Sequence, residues 1–363
     1  MISFRNHKKT NISFGPGITI IWGENGSGKT SILEAIHSLS FGSSFRTNNK
    51  KELIKEGSKN FLLTGFFKNK KGVENTVFFS HDTKGNKKIK INKKEIHKRK
   101  DLLGINNVVV FSPEEESITK NGPKNRRKFF DRIFSIVSKS YLNELLSYNS
   151  TLQQRNAVLR LNSKKNINKE IEIWNEPFAE KAVDLWQKRR DLFVDFSKVF
   201  RETVKRLDLG IECDICFNQK KRKKEEIISA LKRTLETESI LGFTTLGPHR
   251  DDFLFEWAGR AIRKHGSQGE HKMYLALLKT TELLFISKKT NKNPVFLIDD
   301  IFANLDTERS KRLLRFVEEL RLQEKSKPQT IITATDIIEV QKEGFFSNYN
   351  EIKKQKLGAS EAT

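Results

Sequence analysis

The spacing of apolar residues changes along the chain and divides it into three regions. Between residues 60 and 112, short apolar or alternating runs (FLLTGFF, NTVFFS, KKIKI and NVVVFS) are separated by Gly, Asn and Lys turns. This pattern predicts strands in an antiparallel β lobe. From about residue 124 to 236 the apolar positions recur at helical spacing, which predicts long amphipathic helices. Near residue 243 the strand-like pattern returns and stays mixed to the end.

The N-terminal segment combines strand, loop and helix patterns. Residues 11–23 predict two strands separated by a turn at Gly15, Pro16 and Gly17, and the second strand, ITIIW, runs into a glycine-rich loop. The following SILEAIHSLS carries apolar residues at helical spacing. The simplest organisation is an α/β head made from both ends of the chain, with a helical lobe inserted between them. The head is placed at residues 1–115 and 245–363, and the inserted lobe at residues 116–244.

The charge of the chain changes this picture, because it points to a polyanionic partner. Lys and Arg number 68 against 45 for Asp and Glu, a net charge of +23, and such a field attracts nucleic acid. The basic residues also cluster: eight of the fourteen residues at 87–100 are Lys or Arg, and KKRKK at 220–224 forms a second block. A Lys- and Asn-rich proteome is the alternative explanation. Two blocks on one basic chain favour a DNA or RNA surface.

Several classes of protein are disfavoured by composition. No apolar run approaches the roughly 18 residues of a membrane span, and the N-terminus lacks the apolar core of a signal peptide. These features predict a cytoplasmic protein with no membrane partner. The only cysteines, Cys213 and Cys216, form one C-x-x-C, which falls short of a four-ligand zinc site. Their alternating surroundings predict a strand with a reduced, structural pair.

The stretch GENGSGKT fits the phosphate-loop pattern G-x-x-x-x-G-K-[ST] at every fixed position. Its glycines let backbone N–H groups turn toward phosphate oxygens, and the helix that follows adds its positive end. Lys29 can reach the β- and γ-phosphates, and the Thr30 hydroxyl can ligate Mg²⁺. The stretch therefore predicts a bound nucleoside triphosphate, with a loop formed by Gly23, Glu24, Asn25, Gly26, Ser27, Gly28, Lys29 and Thr30.

A second strand that ends in carboxylates is expected beside such a loop, and PVFLIDD at 294–300 supplies one. Asp299 suits Mg²⁺, and Asp300 can orient or deprotonate the attacking water. An acidic turn after a buried strand is the plainer alternative. The upstream phosphate loop favours the catalytic interpretation.

The segment HGSQGEHKMYLALLKTTELL carries Ser267 and Glu270 at the spacing of a capping box. An ordinary well-capped helix is one explanation. The order of motifs favours another, because S-x-G-E stands between the phosphate loop and the strand with two aspartates, followed by ANLD at 303–306 and TIITATD. This order resembles that of ABC-type ATPase heads, whose signature serine and glycine touch the γ-phosphate held by the opposite subunit.

With these motifs the chain resembles the RecF family of bacterial recombination mediators, which is related to the SMC and Rad50 ATPase heads. The matching stretches, which span nearly the whole chain, are FRNH, LEAIHSLSFGSSFRT, FSPEE, GPKNRRKFFD, TTLGPHRDDF, GSQGEHK and LIDDIFANLD. The resemblance implies an α/β, ABC-type P-loop ATPase head with an antiparallel β lobe and an inserted α-helical lobe.

The same resemblance implies a function in DNA repair, replication, recombination and the SOS response. It implies binding of ATP and Mg²⁺, an ATP-dependent homodimer and weak, DNA-stimulated ATPase activity. The expected partners are single-stranded and gapped or double-stranded DNA, together with RecO and RecR, with which the protein would help to load RecA.

Carried over position by position, the resemblance assigns catalysis to Lys29 and Asp300 and metal binding to Thr30 and Asp299. Besides the phosphate loop, it assigns nucleotide binding to Arg5, Asn6, Ser267 and Gly269. Asp306 would face the dimer.

The chain departs from related patterns at several points. It starts several residues later than the resemblance implies, which predicts a short first strand. Thr335 stands where transporter ATPases carry a switch histidine, and no glutamine marks a Q-loop near residues 111–114. His249, Asp251 and Asp252 suggest either a metal group or a network that locks a loop. A transporter nucleotide-binding subunit and a small-molecule kinase remain alternative functions.

Overall fold

The computed structural model describes residues 1–68, 72–161, 167–217, 222–300, 328–335 and 352–357. They divide into two compact units, one of residues 118–266 and one formed by both ends of the chain. The apolar pattern places the return to the head at residue 245, whereas residues 245–266 belong here to the second unit. The reason is that strand Leu254–Trp257 pairs with strand Cys213–Cys216.

The strands and helices are numbered in chain order. The strands are β1 (Ile2–Phe4), β2 (His7–Lys9), β3 (Ile18–Trp22), β4 (Asn60–Lys68), β5 (Glu74–Asp82), β6 (Lys87–Ile91), β7 (Lys94–Glu95), β8 (Val108–Phe111), β9 (Cys213–Cys216), β10 (Leu254–Trp257), β11 (Arg260–Ala261), β12 (Val295–Ile298), β13 (Thr330–Ala334) and β14 (Ile352–Lys356). The helices are α1 (Lys29–Phe41), α2 (Ser117–Lys120), α3 (Pro123–Val137), α4 (Lys139–Arg160), α5 (Ile167–Leu207), α6 (Lys224–Leu241), α7 (Ile262–His265) and α8 (Gln268–Thr290).

The first unit contains an antiparallel sheet in the order β2-β1-β4-β5-β6-β7. One face of this sheet is apolar, and Phe4, Phe61 and Phe79 form its buried centre. The rings of Phe4 and Phe61 lie 5.3 Å apart in an edge-to-face arrangement. The antiparallel lobe predicted from the alternating runs is therefore present.

A second, parallel sheet in the same unit has the order β14-β3-β13-β12-β8. The prediction that placed the NVVVFS run in the antiparallel lobe is wrong, because β8 pairs in parallel with β12. All four residues of β8 are buried, as expected for a strand covered on both faces. Within residues 11–23, only Ile18–Trp22 forms a strand.

Helix α1 contacts strands of both sheets, namely β4 and β5 of the antiparallel sheet and β8 and β13 of the parallel one. It is buried at every residue except Thr30. Because its surroundings are apolar on several sides, its apolar residues do not form the single stripe of a surface helix. Ala35 and Leu39 pack into the apolar cluster of the antiparallel sheet.

The second unit is built from the long helices α3 to α6 and a small sheet in the order β11-β10-β9. Phe130 is central to its core, with the ring of Phe253 at 4.0 Å and that of Phe196 at 5.2 Å. Cys213 and Cys216 are free thiols in β9, in agreement with the predicted strand. Burial raises the pKa of Cys213 to about 12, so this thiol is protonated at neutral pH. Among the described helices, none has the length and apolar character that crossing a membrane requires.

A buried ionic network holds residues 251 and 252 of the GPHRDD segment. Asp251 accepts hydrogen bonds from Trp186 Nε1 at 2.9 Å and from Arg189 Nη1 at 2.6 Å. Arg126 donates from Nε and Nη2 to both oxygens of Asp252, at 2.8 and 2.9 Å. Each carboxylate thus has a guanidinium partner, which offsets the cost of its burial.

His249 is fixed within the same segment by protein partners. Its Nδ1 hydrogen-bonds with Tyr148 Oη and its Nε2 with the Thr244 carbonyl. Burial lowers the pKa of His249 to about 4, so the ring is neutral at physiological pH. Among the described residues, no group of three or more His, Cys, Asp or Glu side chains is arranged to hold a metal ion. The contacts support the loop-locking interpretation.

The network predicts a stability effect that separates buried from exposed ion pairs. Asp251→Ala leaves the guanidinium of Arg189 with Asp131 as its remaining carboxylate, so the free energy of unfolding should fall by about 3 kcal/mol. Glu172→Ala, which removes an exposed partner of Lys232, should cost about 1 kcal/mol or less. Equilibrium denaturant unfolding followed by circular dichroism measures both, and equal losses would contradict the assignment.

Candidate functional site

The phosphate loop connects the end of β3 to the start of α1. Gly23, Gly26 and Gly28 have φ angles of 154°, 83° and 94°, a region that side chains with a Cβ rarely adopt. At Gly28 a Cβ atom would also lie 2.4 Å from Nε2 of His7 and 2.8 Å from Oδ1 of Asn6. Glycine is therefore required here by both conformation and space. Glu24, Asn25 and Gly26 are exposed at the tip of the loop.

Two buried polar side chains of the loop have the character of an anion site. Lys29 is only 7% exposed, and its Nζ donates to the carbonyls of Gly23 and Glu24 at 2.7 and 2.9 Å. Burial lowers the pKa of Lys29, while the charges of Asp300 and Asp299 raise it. The buried Oγ of Ser27 has no hydrogen-bond partner among the described residues. A phosphate group would supply an acceptor for the Ser27 hydroxyl and an anionic partner for the Lys29 ammonium.

Asp299 and Asp300 follow β12, beside the end of β13. Asp299 is 3% exposed, and its Oδ1 accepts from Thr30 Oγ1 at 2.9 Å and from Thr333 Oγ1 at 2.7 Å. The Thr333 hydroxyl also accepts from the Asp300 backbone N–H at 3.0 Å. Burial raises the pKa of Asp299, the hydrogen bonds from Thr333 and Thr30 lower it, and the charges of Glu114 and Asp300 raise it. The structure thus gathers Thr30, Asp299 and Asp300, and it adds Thr333, which the sequence analysis missed.

The turn between β1 and β2 contacts both the phosphate loop and helix α1. Asn6 Nδ2 donates to the Gly26 carbonyl at 2.9 Å, and Asn6 Oδ1 accepts from Ser31 Oγ at 3.3 Å. Arg5 donates from Nε and Nη2 to both oxygens of the fully buried Glu34, each at 2.7 Å. Asn6 therefore contacts the phosphate loop itself, and Arg5 contacts the helix that follows it.

Arg46 and Glu114 extend this network toward the aspartates. Arg46 Nε lies 3.3 Å from Glu114 Oε1, and Arg46 Nη1 lies 3.8 Å from Glu34 Oε2. Because its charge acts on Asp299, Glu114 belongs to the surroundings of the aspartates. Glu114 occupies the segment, residues 111–114, in which a Q-loop would carry a glutamine. The FSPEE motif marked it in the sequence only through the family resemblance.

Ser267 and Gly269 lie at the start of α8, as predicted. The Ser267 hydroxyl accepts from the Glu270 N–H at 3.3 Å, and Glu270 Oε2 accepts from the Ser267 N–H at 2.6 Å. This confirms the capping box. Ser267 is exposed, and among the described residues it hydrogen-bonds with Glu270 and His271. Nothing in these contacts brings it to the phosphate loop of its own chain. Asp306 lies outside the described residues.

Comparison with known proteins places this geometry in context. Residues 1–356 match the RecF/RecN/SMC N terminal domain family. The DNA replication and repair protein RecF of Ruminiclostridium cellulolyticum is 33% identical over 345 residues, 92% of this chain and 91% of its own length. RecF of Agathobacter rectalis is 35% identical over 355 residues, 94% of this chain and 92% of its own length.

Solved structures agree with the sequence matches. The recombination mediator protein RecF with ATP, in the RecFOR pathway, has a TM-score of 0.82 and 30% identity over 92% of this chain and 90% of its own. An SMC head domain of Pyrococcus furiosus, bound to the C-terminal domain of ScpA, has a TM-score of 0.54 at 19% identity and covers 93% of this chain and 89% of its own. The latter likeness concerns the fold alone. Together they show the ABC-type ATPase fold predicted from the sequence.

The buried lysine generates the first test of the site. Lys29→Ala should weaken the binding of a fluorescent ATP analogue with Mg²⁺ by about 10- to 100-fold, because a charge-assisted hydrogen bond contributes about 1.5–3 kcal/mol. ATP hydrolysis should be lost as well. Lys59→Ala, at an exposed lysine of the same unit, should bind like the unsubstituted chain. Unchanged affinity in Lys29→Ala would remove the loop from the binding site.

Proposed function

We propose a function for this chain from the premise that it belongs to the RecF family of DNA replication and repair proteins. It binds ATP, dimerises on ATP and acts at gapped DNA, where with RecO and RecR it helps to load RecA onto single strands. Its ATPase activity is weak and stimulated by DNA. The observation that carries the proposal is the convergence of the phosphate loop with Asp299 and Asp300 through Thr30 and Thr333.

The nucleotide part of the proposal follows from the donors around the loop. Lys29 and the start of α1 would bind the β- and γ-phosphates. The Ser27 hydroxyl, which has no partner within the part of the chain that the structure describes, would donate to a phosphate oxygen. The hydroxyl of Thr30 and the carboxylate of Asp299 are the oxygen ligands that Mg²⁺ prefers, so these two residues would hold the ion. When bound, Mg²⁺ supplies charge neutralisation at the phosphates.

Hydrolysis requires a base for the attacking water. Asp300 stands directly after the proposed metal ligand, and its backbone is anchored by Thr333. Its carboxylate would orient the water and accept its proton as the oxygen attacks the γ-phosphorus and the bond to ADP breaks. Asp299 is committed to Thr30 and Thr333, which leaves Asp300 for this role.

Two observations support the macromolecular part of the proposal. The net charge of +23 favours a nucleic-acid partner. The exposed start of α8 offers Ser267 and Gly269 to a second chain, where they would close the γ-phosphate side of its site. Sedimentation with and without ATP, and with and without gapped DNA, tests the proposal as a whole. A protein that sediments as a monomer with ATP and does not bind gapped DNA would overturn it.

A shared site predicts that binding and dimerisation can be separated. Ser267→Arg should bind ATP with near-normal affinity as a monomer but fail to dimerise or hydrolyse, because the guanidinium would obstruct the partner's phosphates. Ser267→Thr keeps a hydroxyl at the helix cap and should retain activity. The rate of hydrolysis is measured against protein concentration. First-order dependence at all concentrations, with no effect of Ser267→Arg, would contradict the shared site.

The two aspartates should differ in what they contribute. Asp300→Asn keeps shape and hydrogen bonding but loses the base, so ATP affinity should stay near normal while turnover falls by about 10²–10⁴-fold. An ATP-bound dimer should then accumulate on DNA. Asp299→Asn should lose both Mg²⁺-dependent binding and turnover. Equilibrium ATP binding and single-turnover hydrolysis distinguish the two variants. Normal hydrolysis by Asp300→Asn would show that another residue acts as the base.

A further inference from the structure

Three cationic side chains from separate segments of the first unit form a basic cluster. Its members are Lys50, in the short turn Lys50–Leu53, Lys87, the first residue of β6, and Arg99, the first residue of the turn Arg99–Asp101. Lys87 and Arg99 are exposed, and Lys50 is half-buried. Lys87 and Arg99 belong to the basic run at residues 87–100, and Lys50 lies outside it.

Two members of the basic cluster, Lys87 and Arg99, lie at the C-terminal end of α1. Arg99 Nε donates to the Phe41 carbonyl at 2.8 Å, and Arg99 Nη2 donates to Ser43 Oγ at 2.5 Å. Lys87 Nζ is 3.4 Å from the position that a Cβ atom would take at Gly42, the residue that ends the helix. The last turn of α1 contains no basic residue of its own. The negative end of its dipole is therefore met by cations from other segments.

The members of the basic cluster lie close enough to repel one another. Partial desolvation of its ammonium, and after it the charges of Lys50 and Arg99, together lower the pKa of the surface residue Lys87 to about 8. The same Lys50 and Lys87 charges also act on His81 of β5. Within the described residues, the Lys87 ammonium has no carboxylate partner and no hydrogen bond, and it lies 5.7 Å from the centroid of the Phe79 ring. Cations held together without an anion gain from binding one.

Capping of the helix explains only part of this arrangement. Two donors of Arg99 are used by Phe41 and Ser43, as a cap requires. The ammonium of Lys87 donates to neither, and a cap does not need a second and third cation in mutual repulsion. An external anion accounts for all three side chains.

We propose that Lys50, Lys87 and Arg99 bind neighbouring phosphates of the DNA backbone at the C-terminal end of α1. This inference rests on the proposed function, because it gives the DNA a place on the same unit that binds ATP. Helix α1 has 13 residues and is about 20 Å long. One buried, rigid helix thus carries the ATP phosphates at its N-terminus and a DNA phosphate at its C-terminus, which links DNA binding to ATP turnover.

Salt dependence of DNA binding gives the most direct test. Each lost phosphate contact should lower the slope of log affinity against log salt by about 0.7–0.9. Lys87→Gln and Arg99→Gln should each lower it by about this amount for a fluorescent gapped DNA measured between 50 and 200 mM salt. Lys9→Gln, at the opposite edge of the same sheet, removes the same charge and should leave the slope unchanged.

A second arm uses pH, because a lysine with a lowered pKa loses its charge within an accessible range. The cations of Lys50 and Arg99, the ring of Phe79, and His81 surround Lys87. The pKa of His81 is also lowered, so it stays neutral above pH 7. DNA affinity should therefore fall as the pH rises from 7 to 9, through the pKa of Lys87. Lys87→Arg, which keeps its charge, should lose this dependence and retain affinity.

The third arm measures coupling and the source of the phosphate. In Lys87→Gln, ATP hydrolysis without DNA should be unchanged, while its stimulation by DNA should fall to less than half. Inorganic phosphate at 10-fold excess over DNA phosphates should not displace the DNA; displacement would assign the cluster to a small anion instead.

The outcomes separate the two proposals. No DNA binding by the unsubstituted chain would overturn the proposed function and this inference together. DNA binding with equal salt slopes for Lys87→Gln, Arg99→Gln and Lys9→Gln would overturn this inference alone.

Discussion

The hydrogen bond from Thr30 to Asp299 joins residues that lie 269 positions apart in the chain. It forms because β3, β13 and β12 lie side by side in parallel, so that their carboxyl ends share one edge of the sheet. Thr333, near the end of the middle strand, completes the link by bonding to both Asp299 and Asp300. A slip of one residue in this register would turn each side chain to the opposite face. The candidate site therefore depends on strand pairing before it depends on any single catalytic group.

Buried charges have different partners in the two units. Those of the second unit are paired with opposite charges, as in a structural network, whereas the buried lysine of the phosphate loop is not. In the second unit, Asp251 meets the guanidinium of Arg189 directly, and the buried charges compensate one another. In the phosphate loop, the buried ammonium of Lys29 faces backbone carbonyls, and within the described chain no carboxylate lies at salt-bridge distance from it. Burial without an ion pair is costly for the folded protein. An anionic ligand at the loop, as proposed for ATP, would remove that cost.

Much of the fold could be predicted from local pattern. Continuous apolar runs such as ITIIW and VFLI marked strands buried on both faces, and the spacing of Ser267 and Glu270 gave the capping box that is present. The partner of a strand is not encoded locally, which is why β8 was assigned to the wrong sheet. For the same reason Thr333 went unnoticed, since a threonine in an apolar strand has no signal until its neighbours are known. Arg5 was singled out, but its bidentate contact with Glu34 depends on long-range packing.

Helix α1 is restrained at its start, in its middle and at its end. Gly28 is fixed at the start because a side chain there would collide with His7 and Asn6, and Gly42 ends the helix with a φ of 65°. Between them, Glu34 is fully buried and is held by Arg5, which ties the middle of the helix to the turn that supports the loop. A helix restrained at its start, middle and end has little freedom to bend or rotate. The start of α1, which carries the phosphate loop, and its end, which carries Gly42, are therefore parts of one element held in place by contacts along its length.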